Sequence, residues 1–303
     1  MKKYLFLSSA LFVLWSCEKT IDFEIPKDPP RITIDAKLQT DTWPRAIVGT
    51  SEYSLSPGSP SVDSLTNVSL YEDGRFVERL SPKRYDSDIY DNFGNPTPAY
   101  YYEGGYRPAA GHTYEIRATR NGYEDAVGRA FMYESVNLTG SNYNSETGDL
   151  EVSFSDPPGR GDYYRISIFP RGNSGNEYYD SYFGSYDPTI EFFEFDEFDD
   201  FLVDDGLSFG YAGYLSDEFF DGSVKKLKLV YLIGRFGEPG STNKDPFDVI
   251  IGRVSESYYL HERSKAAQTV ENPFSEPTPI YGNVENGYGI VATSSNSRVY
   301  IQP

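Results

Sequence analysis

The side chains that could support chemistry in this sequence are mainly carboxylates and aromatic rings. The chain has 303 residues, with 46 Asp and Glu, 27 Tyr and 20 Phe, but only two histidines and one cysteine. Nucleophilic catalysis by a Ser–His or Cys–His pair requires a base beside the nucleophile. His112 stands at the start of a predicted strand and His261 in a predicted helix, so turn or surface roles are expected for both. The sequence therefore predicts a protein that is not an enzyme, and no catalytic residue is assigned.

One compact acidic group could act without a histidine. Asp217, Glu218 and Asp221 precede Gly222, and paired carboxylates can hydrolyse glycosides. Asp followed by Gly is also a common turn sequence, so a turn is expected here and a carboxylate-based glycoside hydrolase is the third functional hypothesis. The integrin-type tripeptide at 160–162 follows Pro-Pro-Gly and is likewise expected to be an interstrand turn.

A segment between Glu191 and Asp205 interleaves phenylalanines with carboxylates. One interpretation is an edge strand or lid whose rings pack inward while its solvated charges oppose aggregation. The other is a Ca²⁺ or ligand site, because hard cations prefer clustered oxygen ligands, although the EF-hand spacing is absent. The candidate ligands of that site are Asp196, Glu197, Asp199, Asp200, Asp204 and Asp205. The solvated edge is favoured, Ca²⁺ stays an alternative, and no other cofactor is expected.

Tyrosines form a second candidate surface. A tyrosine ring has an apolar face and a polar tip, which suits sugar stacking and protein interfaces but also the half-exposed surface of a β-sandwich. The segment flanked by Pro98 and by Gly104 and Gly105 is predicted to be a loop. Its candidate binding residues are Tyr100, Tyr101, Tyr102 and Tyr106.

The N-terminus predicts the location of the protein. Lys2 and Lys3 precede an apolar run that is shorter than the roughly twenty residues needed to span a bilayer, so residues 1–17 are predicted to be a signal peptide. Residues 14–17, Leu-Trp-Ser-Cys, resemble a bacterial lipobox, in which the cysteine is acylated and becomes the mature N-terminus. Cys17 is therefore the predicted lipidation site. The alternative is an ordinary secretory signal that leaves a free thiol.

Composition sets further limits on function and organisation. A formal net charge of -19 repels phosphate backbones, so no nucleic-acid partner is expected. Residues 18–30 are polar and contain three prolines, which predicts a stiff tether.

The remaining elements predict an all-β fold. Residues 31–38 alternate apolar and polar side chains, as in a half-buried strand. The pairs Asp73–Gly74 and Asn121–Gly122 are typical of tight hairpin turns, so residues 31–134 are predicted to form an immunoglobulin-like sandwich.

A polar stretch at 137–149 is the predicted junction with a second, mainly antiparallel β domain at 135–303. Five segments of that domain are rich in β-branched and aromatic residues and are predicted strands: 150–155, 163–169, 176–183, 227–236 and 247–254. One helix is predicted near 255–270, and the last hairpin turns at 286–287.

Several segments in a fixed order resemble one protein family. They are Ser-Cys-Glu-Lys-Thr-Ile-Asp (16–22), Arg-Ile-Thr-Ile-Asp (31–35), Gly-His-Thr-Tyr-Glu-Ile (111–116), Asn-Gly-Tyr (121–123), Leu-Ser-Asp-Glu-Phe-Phe-Asp-Gly (215–222), Asn-Pro-Phe-Ser-Glu-Pro (272–277) and Tyr-Gly-Asn-Val-Glu-Asn-Gly-Tyr-Gly-Ile (281–290). Together they resemble the Bacteroidota lipoproteins grouped as domain of unknown function 4249. The resemblance implies an outer-membrane lipoprotein that often accompanies a TonB-dependent receptor, by analogy only.

These observations lead to one functional expectation and one alternative. We expect an outer-membrane lipoprotein, held by an N-terminal lipid and exposed at the cell surface, that acts as a non-catalytic accessory partner of a TonB-dependent transporter barrel. The alternative is a stand-alone adhesin or glycan-binding lipoprotein, with a glycan or peptide as ligand. Acidic residues after the cysteine, Glu18, Asp22 and Glu24, favour the cell surface, while Lys19 dilutes that signal and leaves the periplasmic leaflet open.

Overall fold

The computed structural model describes residues 29–51, 64–90, 96–171, 181–193, 206–231, 245–268 and 279–303. Regular structure in these residues is nearly all β-strand, with one α-helix and one short 3₁₀ turn. The predicted all-β fold class with a single helix is therefore confirmed. No helix within the same ranges is long and apolar enough to cross a membrane.

The N-terminal strands follow the predicted alternation. Ile32, Ile34 and Leu38 of the first strand are fully buried, and burying each such side chain contributes about 1.5–3 kcal/mol. Asp73 and Gly74 both have positive φ, as a tight hairpin turn requires. The strands of this part are β1 (Ile32–Gln39), β2 (Arg45–Thr50), β3 (Asn67–Glu72), β4 (Arg75–Tyr90), β5 (Pro96–Glu103), β6 (Thr113–Thr119) and β7 (Ala126–Phe131).

The second part of the chain contains the remaining strands and the helix. The strands are β8 (Asn137–Tyr143), β9 (Asp149–Ser155), β10 (Tyr163–Pro170), β11 (Phe183–Ser185), β12 (Glu191–Phe192), β13 (Ser208–Gly210), β14 (Ala212–Ser216), β15 (Val224–Tyr231), β16 (Phe247–Val254), β17 (Val284–Glu285) and β18 (Gly287–Ile301). The 3₁₀ turn (Asp217–Phe219) follows β14, and helix α1 (Glu256–Ala266) follows β16. Ser255 caps the helix, accepting a hydrogen bond from the Tyr258 N–H.

Within the described residues the strands form two sheets. The larger has the order β12-β14-β10-β16-β18-β1-β2-β5-β4-β3-β6-β7-β17, and the smaller has the order β13-β11-β15-β9-β8. Strand β18 connects the two parts of the chain, because it pairs in parallel with β1 through residues 287–294 and antiparallel with β16 through residues 294–301.

Two main cores follow from this topology. Side chains of β1 to β7 and Val291 of β18 enclose the first core, so the large sheet folds back on itself. The second core lies between the two sheets, where Phe154 of β9 packs against Tyr164 of β10 with ring centroids 4.8 Å apart. Ile301, at the end of β18, belongs to this second core. The domain boundary near residue 134 stays a prediction. Strand β18 contributes a side chain to each core, Val291 to the first and Ile301 to the second.

Three sequence predictions need correction or lie outside the described residues. The polar stretch after residue 136 contains strand β8, which pairs with β9, so its polarity reflects an exposed edge strand. The helix ends at Ala266, earlier than the predicted residue 270. Most of the predicted strand at 176–183 lies outside the described residues, and β11 begins at Phe183.

Candidate functional site

A polar cleft with a volume of ≈ 520 Å³ opens where β1 ends beside β18. Strands β10, β16 and β18, the turn after β1 and helix α1 all contribute to it. The lining residues are Gln39, Asp41, Thr42, Arg165, Ser167, Phe169, Ile250, Gly252, Tyr258, Ser294, Asn296 and Arg298. Polar side chains predominate among them, so the cleft suits a polar ligand better than an apolar one.

Hydrogen bonds hold the amide of Asn296 in place within the cleft. Its Nδ2 donates to Gln39 Oε1 at 3.1 Å and to Asp41 Oδ1 at 3.0 Å, while its Oδ1 accepts from Ser294 Oγ at 2.7 Å. Since the partners come from the end of β1 and from β18, the cleft is positioned by the pairing of these strands.

Two guanidinium groups give the cleft a local positive character. Arg165 Nη1 donates to Ser167 Oγ at 3.0 Å, and Arg298 Nη2 lies 3.6 Å from Asp41 Oδ2. Arg298 Nη1 also donates a hydrogen bond to Oδ2 of buried Asp248 at 3.3 Å, and the same carboxylate accepts two hydrogen bonds from Arg171. In a chain of net charge -19, two arginines facing one cleft favour an anionic group of a ligand.

Gly252 lines the cleft, and the absence of a side chain at this position leaves space for the side chains of Ser294 and Asn296. A Cβ atom at this position would lie 2.5 Å from Ser294 Oγ and 2.7 Å from Asn296 Oδ1. A larger residue would therefore push apart the hydrogen-bonded pair that positions the Asn296 amide.

A second notable cluster consists of three buried aspartates at one end of the second core, between the two sheets. Asp156 follows β9 of the small sheet, whereas Asp162 and Asp217 flank β10 and β14 of the large sheet. The pairing of β10 with β14 extends into the turn, because the Asp217 N–H donates to the Asp162 carbonyl at 3.0 Å. One carboxylate oxygen of each residue lies within 4.8 Å of the others.

Several groups contact these carboxylates. Tyr164 donates its hydroxyl hydrogen bond to Asp156 Oδ1, and the Gly222 N–H donates to Asp156 Oδ2 at 2.7 Å. The Gly161 N–H lies 3.1 and 3.0 Å from the two oxygens of Asp217. The Arg253 guanidinium forms an ion pair with Asp162 Oδ1 at 2.5 Å.

Burial disfavours the charged forms of two of these aspartates, Asp156 and Asp162. Burial raises the pKa of Asp156 above its ordinary value, against the hydrogen bonds from Tyr164 and Gly222, and repulsion from Asp217 adds to this effect. Burial also raises the pKa of Asp162, and the attraction of Arg253 does not fully offset it. The hydrogen bonds of the protein therefore do not by themselves compensate the burial of these charges.

The prediction that Tyr100, Tyr101 and Tyr102 lie in a loop is wrong, because these residues belong to β5 and pair with β4. Tyr102 is 1% exposed, and its hydroxyl oxygen accepts a hydrogen bond from the Thr66 N–H. Tyr106 does lie in the connection after β5, where its hydroxyl donates to Glu72 Oε1 at 2.8 Å. Half-buried Tyr100 and Tyr101 keep part of their surface exposed, so a binding role there stays a prediction.

The histidines have structural contacts. Exposed His112 Nδ1 lies 2.7 Å from Asp73 Oδ2 beside the predicted hairpin turn, as expected for a turn residue. His261 is buried, and its Nδ1 lies 2.7 Å from the Tyr281 carbonyl. A surface role is therefore wrong for His261, since the segment around Tyr281 covers this face of α1.

The predicted turn at the acidic group 217–222 is confirmed, but its three carboxylates differ in burial and in their contacts. Asp217 is buried, Glu218 is exposed, and Asp221 Oδ1 accepts a hydrogen bond from the Gly159 N–H at 2.7 Å. Asp162 of the integrin-type tripeptide is buried, so its carboxylate is not presented to solvent. Cys17 and the six Ca²⁺ candidates between Asp196 and Asp205 lie outside the described residues.

Sequence reasoning missed both the cleft and the aspartate cluster. The cleft depends on the parallel pairing of β1 with β18, for which the sequence has no local signal. The cluster had a partial signal, since Asp156 and Asp162 bracket a Pro-Pro-Gly turn and Asp217 opens an acidic turn. Their convergence depends on the pairings of β10 with β14 and of β9 with β15.

The fold and the cleft define an all-β protein with a polar cleft on its large sheet, where β1 ends beside β18. The family model described as "Domain of unknown function (DUF4249)" matches residues 18–299. The chain therefore belongs to this family, as its motifs indicated. A search of curated proteins found no significant match. A solved structure titled "Cytokine receptor complex - Crystal form 1A" is similar with 9% identity and a TM-score of 0.21, covering 88% of this chain and 94% of that chain.

Proposed function

We propose that the protein is a lipid-anchored, non-catalytic binding protein of the outer membrane, whose cleft holds a small polar ligand with an anionic group. The observation that carries the proposal is the cleft itself. Asn296, Gln39 and Ser294 form a fixed polar network in it, and Arg165 and Arg298 supply two guanidinium groups. Such a combination of fixed dipoles and cations is suited to recognising a carboxylate or an acidic sugar.

The anchoring part of the proposal is supported by the sequence. A short apolar run, basic residues before it and Cys17 after it are the features of a lipoprotein signal. Family membership supports the accessory role beside a TonB-dependent transporter only by analogy.

Ligand binding can be tested with the full-length protein in mild detergent. Thermal unfolding is measured with a panel of acidic sugars, matched neutral sugars and short peptides, and hits are titrated by calorimetry. Arg298→Gln removes one cation of the cleft and is expected to weaken binding at least about ten-fold, the loss of one charge-assisted hydrogen bond. Gly252→Ala is also expected to weaken binding, because its Cβ would lie 2.5 Å from Ser294 Oγ and displace the groups that hold the Asn296 amide. Arg79→Gln, an exposed arginine on β4 outside the cleft, is the matched control. Equal affinities in all four proteins would contradict the cleft as the binding site.

Membrane anchoring and partnership need a separate experiment. Cys17→Ser is expected to move the protein from the membrane to the soluble fraction, while protease treatment of intact cells reports whether it faces outward. A transporter partner should copurify in near-equal amount from membranes extracted with mild detergent. Recovery of the wild-type protein alone would reject the accessory role and favour a stand-alone adhesin.

A further inference from the structure

With all three carboxylates ionised, the aspartate cluster carries more negative charge than the described protein groups neutralise. Asp156, Asp162 and Asp217 are 5%, 4% and 2% exposed. Arg253 is the cation that forms an ion pair with the cluster, so three ionised carboxylates beside it leave a net charge of about -2. Buried charges are costly unless they are paired or coordinate a metal.

A second, independent observation is an unused oxygen atom. Arg253 donates two hydrogen bonds, from Nε and Nη2, to Oδ1 of Asp162. Oδ2 of the same carboxylate is buried and has no hydrogen-bond partner among the described residues. A buried carboxylate oxygen normally accepts at least one hydrogen bond, so this atom needs another partner.

We propose that Asp156, Asp162 and Asp217 are ligands of a divalent cation and that Ca²⁺ is the ion bound. The charge of +2 balances the cluster together with Arg253. Ca²⁺ binds oxygen at about 2.3–2.6 Å, so two of its ligand atoms lie at most about 5 Å apart, and the aspartate oxygens lie within 4.8 Å of one another. The ligand set contains no sulfur or imidazole, which disfavours Zn²⁺.

The position of the ion gives it a structural consequence. Asp156 follows a strand of the small sheet, while Asp162 and Asp217 adjoin strands of the large sheet. One cation bound to all three therefore clamps the two sheets together at this end of the second core. The inference is independent of the polar cleft and of any ligand bound there.

The test uses full-length protein that has been dialysed against EDTA. Thermal unfolding is followed while CaCl₂ or MgCl₂ is added, and Tb³⁺ emission is measured under tyrosine excitation, because the Tyr164 hydroxyl contacts Asp156. A Ca²⁺ concentration about a hundred times the Kd is expected to raise the midpoint by about 5 °C. Tb³⁺ is expected to show sensitised emission that Ca²⁺ suppresses.

Variants locate the site. Asp162→Asn and Asp217→Asn each remove one ligand charge and are expected to lower Tb³⁺ affinity at least about ten-fold. Glu218→Gln is the matched control, since this exposed carboxylate belongs to the same 3₁₀ turn, and it should retain wild-type affinity. A wild-type protein whose midpoint does not respond to Ca²⁺ would overturn the proposal, whatever its response to Mg²⁺ and whatever the stability of the variants. Tb³⁺ emission that is equal in wild type and both Asn variants would also overturn it.

Discussion

The ion pair between Lys37 of β1 and Glu262 of α1 gives the sharpest prediction about stability. Lys37 Nζ lies 2.6 Å from Glu262 Oε1, and the side chains are 29% and 6% exposed. Lys265 approaches the other oxygen at 3.3 Å. The substitution Glu262→Gln keeps the shape of the side chain but removes its charge, so both ammonium groups lose a charged partner.

The expected cost follows from the geometry. At an effective dielectric constant of about 20, charges 2.6 Å apart attract by roughly 6 kcal/mol, but desolvation of the two ions costs several kcal/mol. The Gln amide oxygen still accepts one hydrogen bond, and Lys37 keeps its position 5.2 Å from the Tyr258 ring centroid. We therefore expect a loss of about 2 kcal/mol in the free energy of unfolding at pH 7, within the range for hydrogen bonds to charged groups.

The same pair predicts a pH dependence. Burial raises the pKa of Glu262, but the attraction of Lys37 and its hydrogen bond outweigh this effect, so the pKa lies below its ordinary value of 4.5. A lowered pKa means that the stabilisation is fully present above pH 4.5 and is lost as the pH falls through the folded-state value. The difference between wild type and Glu262→Gln should therefore shrink in acid.

Urea unfolding followed by circular dichroism at pH 7 and at pH 3.5 measures both effects. In a separate thermal melt at pH 7, the melting temperature of Glu262→Gln should lie about 4–8 °C below that of the wild type. Glu256→Gln, an exposed carboxylate on the same helix, is the control and should change stability by less than about 1 kcal/mol. A loss below about 0.5 kcal/mol at pH 7, or a loss that does not decrease in acid, would refute the reasoning.

Two further predictions concern residues identified from the sequence. Tyr102→Ala should lower the free energy of unfolding by about 3–5 kcal/mol, because the ring is fully buried in the first core. Tyr101 is half-exposed, so Tyr101→Ala should cost less than half as much in the same urea titration. Equal losses in the two variants would contradict this difference in burial. The carboxylate of Asp73 raises the pKa of His112, so NMR titration should give a value above 6.5 that falls toward 6.5 in Asp73→Asn, and the stabilising contribution of the pair should be lost as the pH rises through the raised value. A wild-type value at or below 6.5 would argue against this hydrogen bond.

Local patterns predicted much of the secondary structure. The alternation in residues 31–38 placed β1, and the Asp73–Gly74 turn placed the end of β3 and the start of β4, each to within a residue. These signals are local, since alternation reports which face of a strand is buried and the turn dipeptide reports its own backbone angles. Strand β8 was missed because an edge strand with few buried side chains has no such alternation.

The candidate sites were harder to predict because they depend on long-range pairing. The cleft requires Asn296 to reach Gln39 across the junction of β1 and β18, and no local pattern specifies that partner. The tyrosines at 100–102 were expected in a loop from the neighbouring Pro and Gly residues. Pairing with β4 overrides that tendency, as tertiary context commonly does for β-propensity.

The pairing of β18 with β1 also constrains the order of folding. The backbone N–H of Asn296 and the hydroxyl of Thr40 are 256 positions apart in the chain but 3.5 Å apart in space. During synthesis, one side of the earliest strand stays open until nearly all of the polypeptide has left the ribosome. Contacts of such long sequence separation slow folding, so the large sheet is completed only after its C-terminal strand is available to pair with β1.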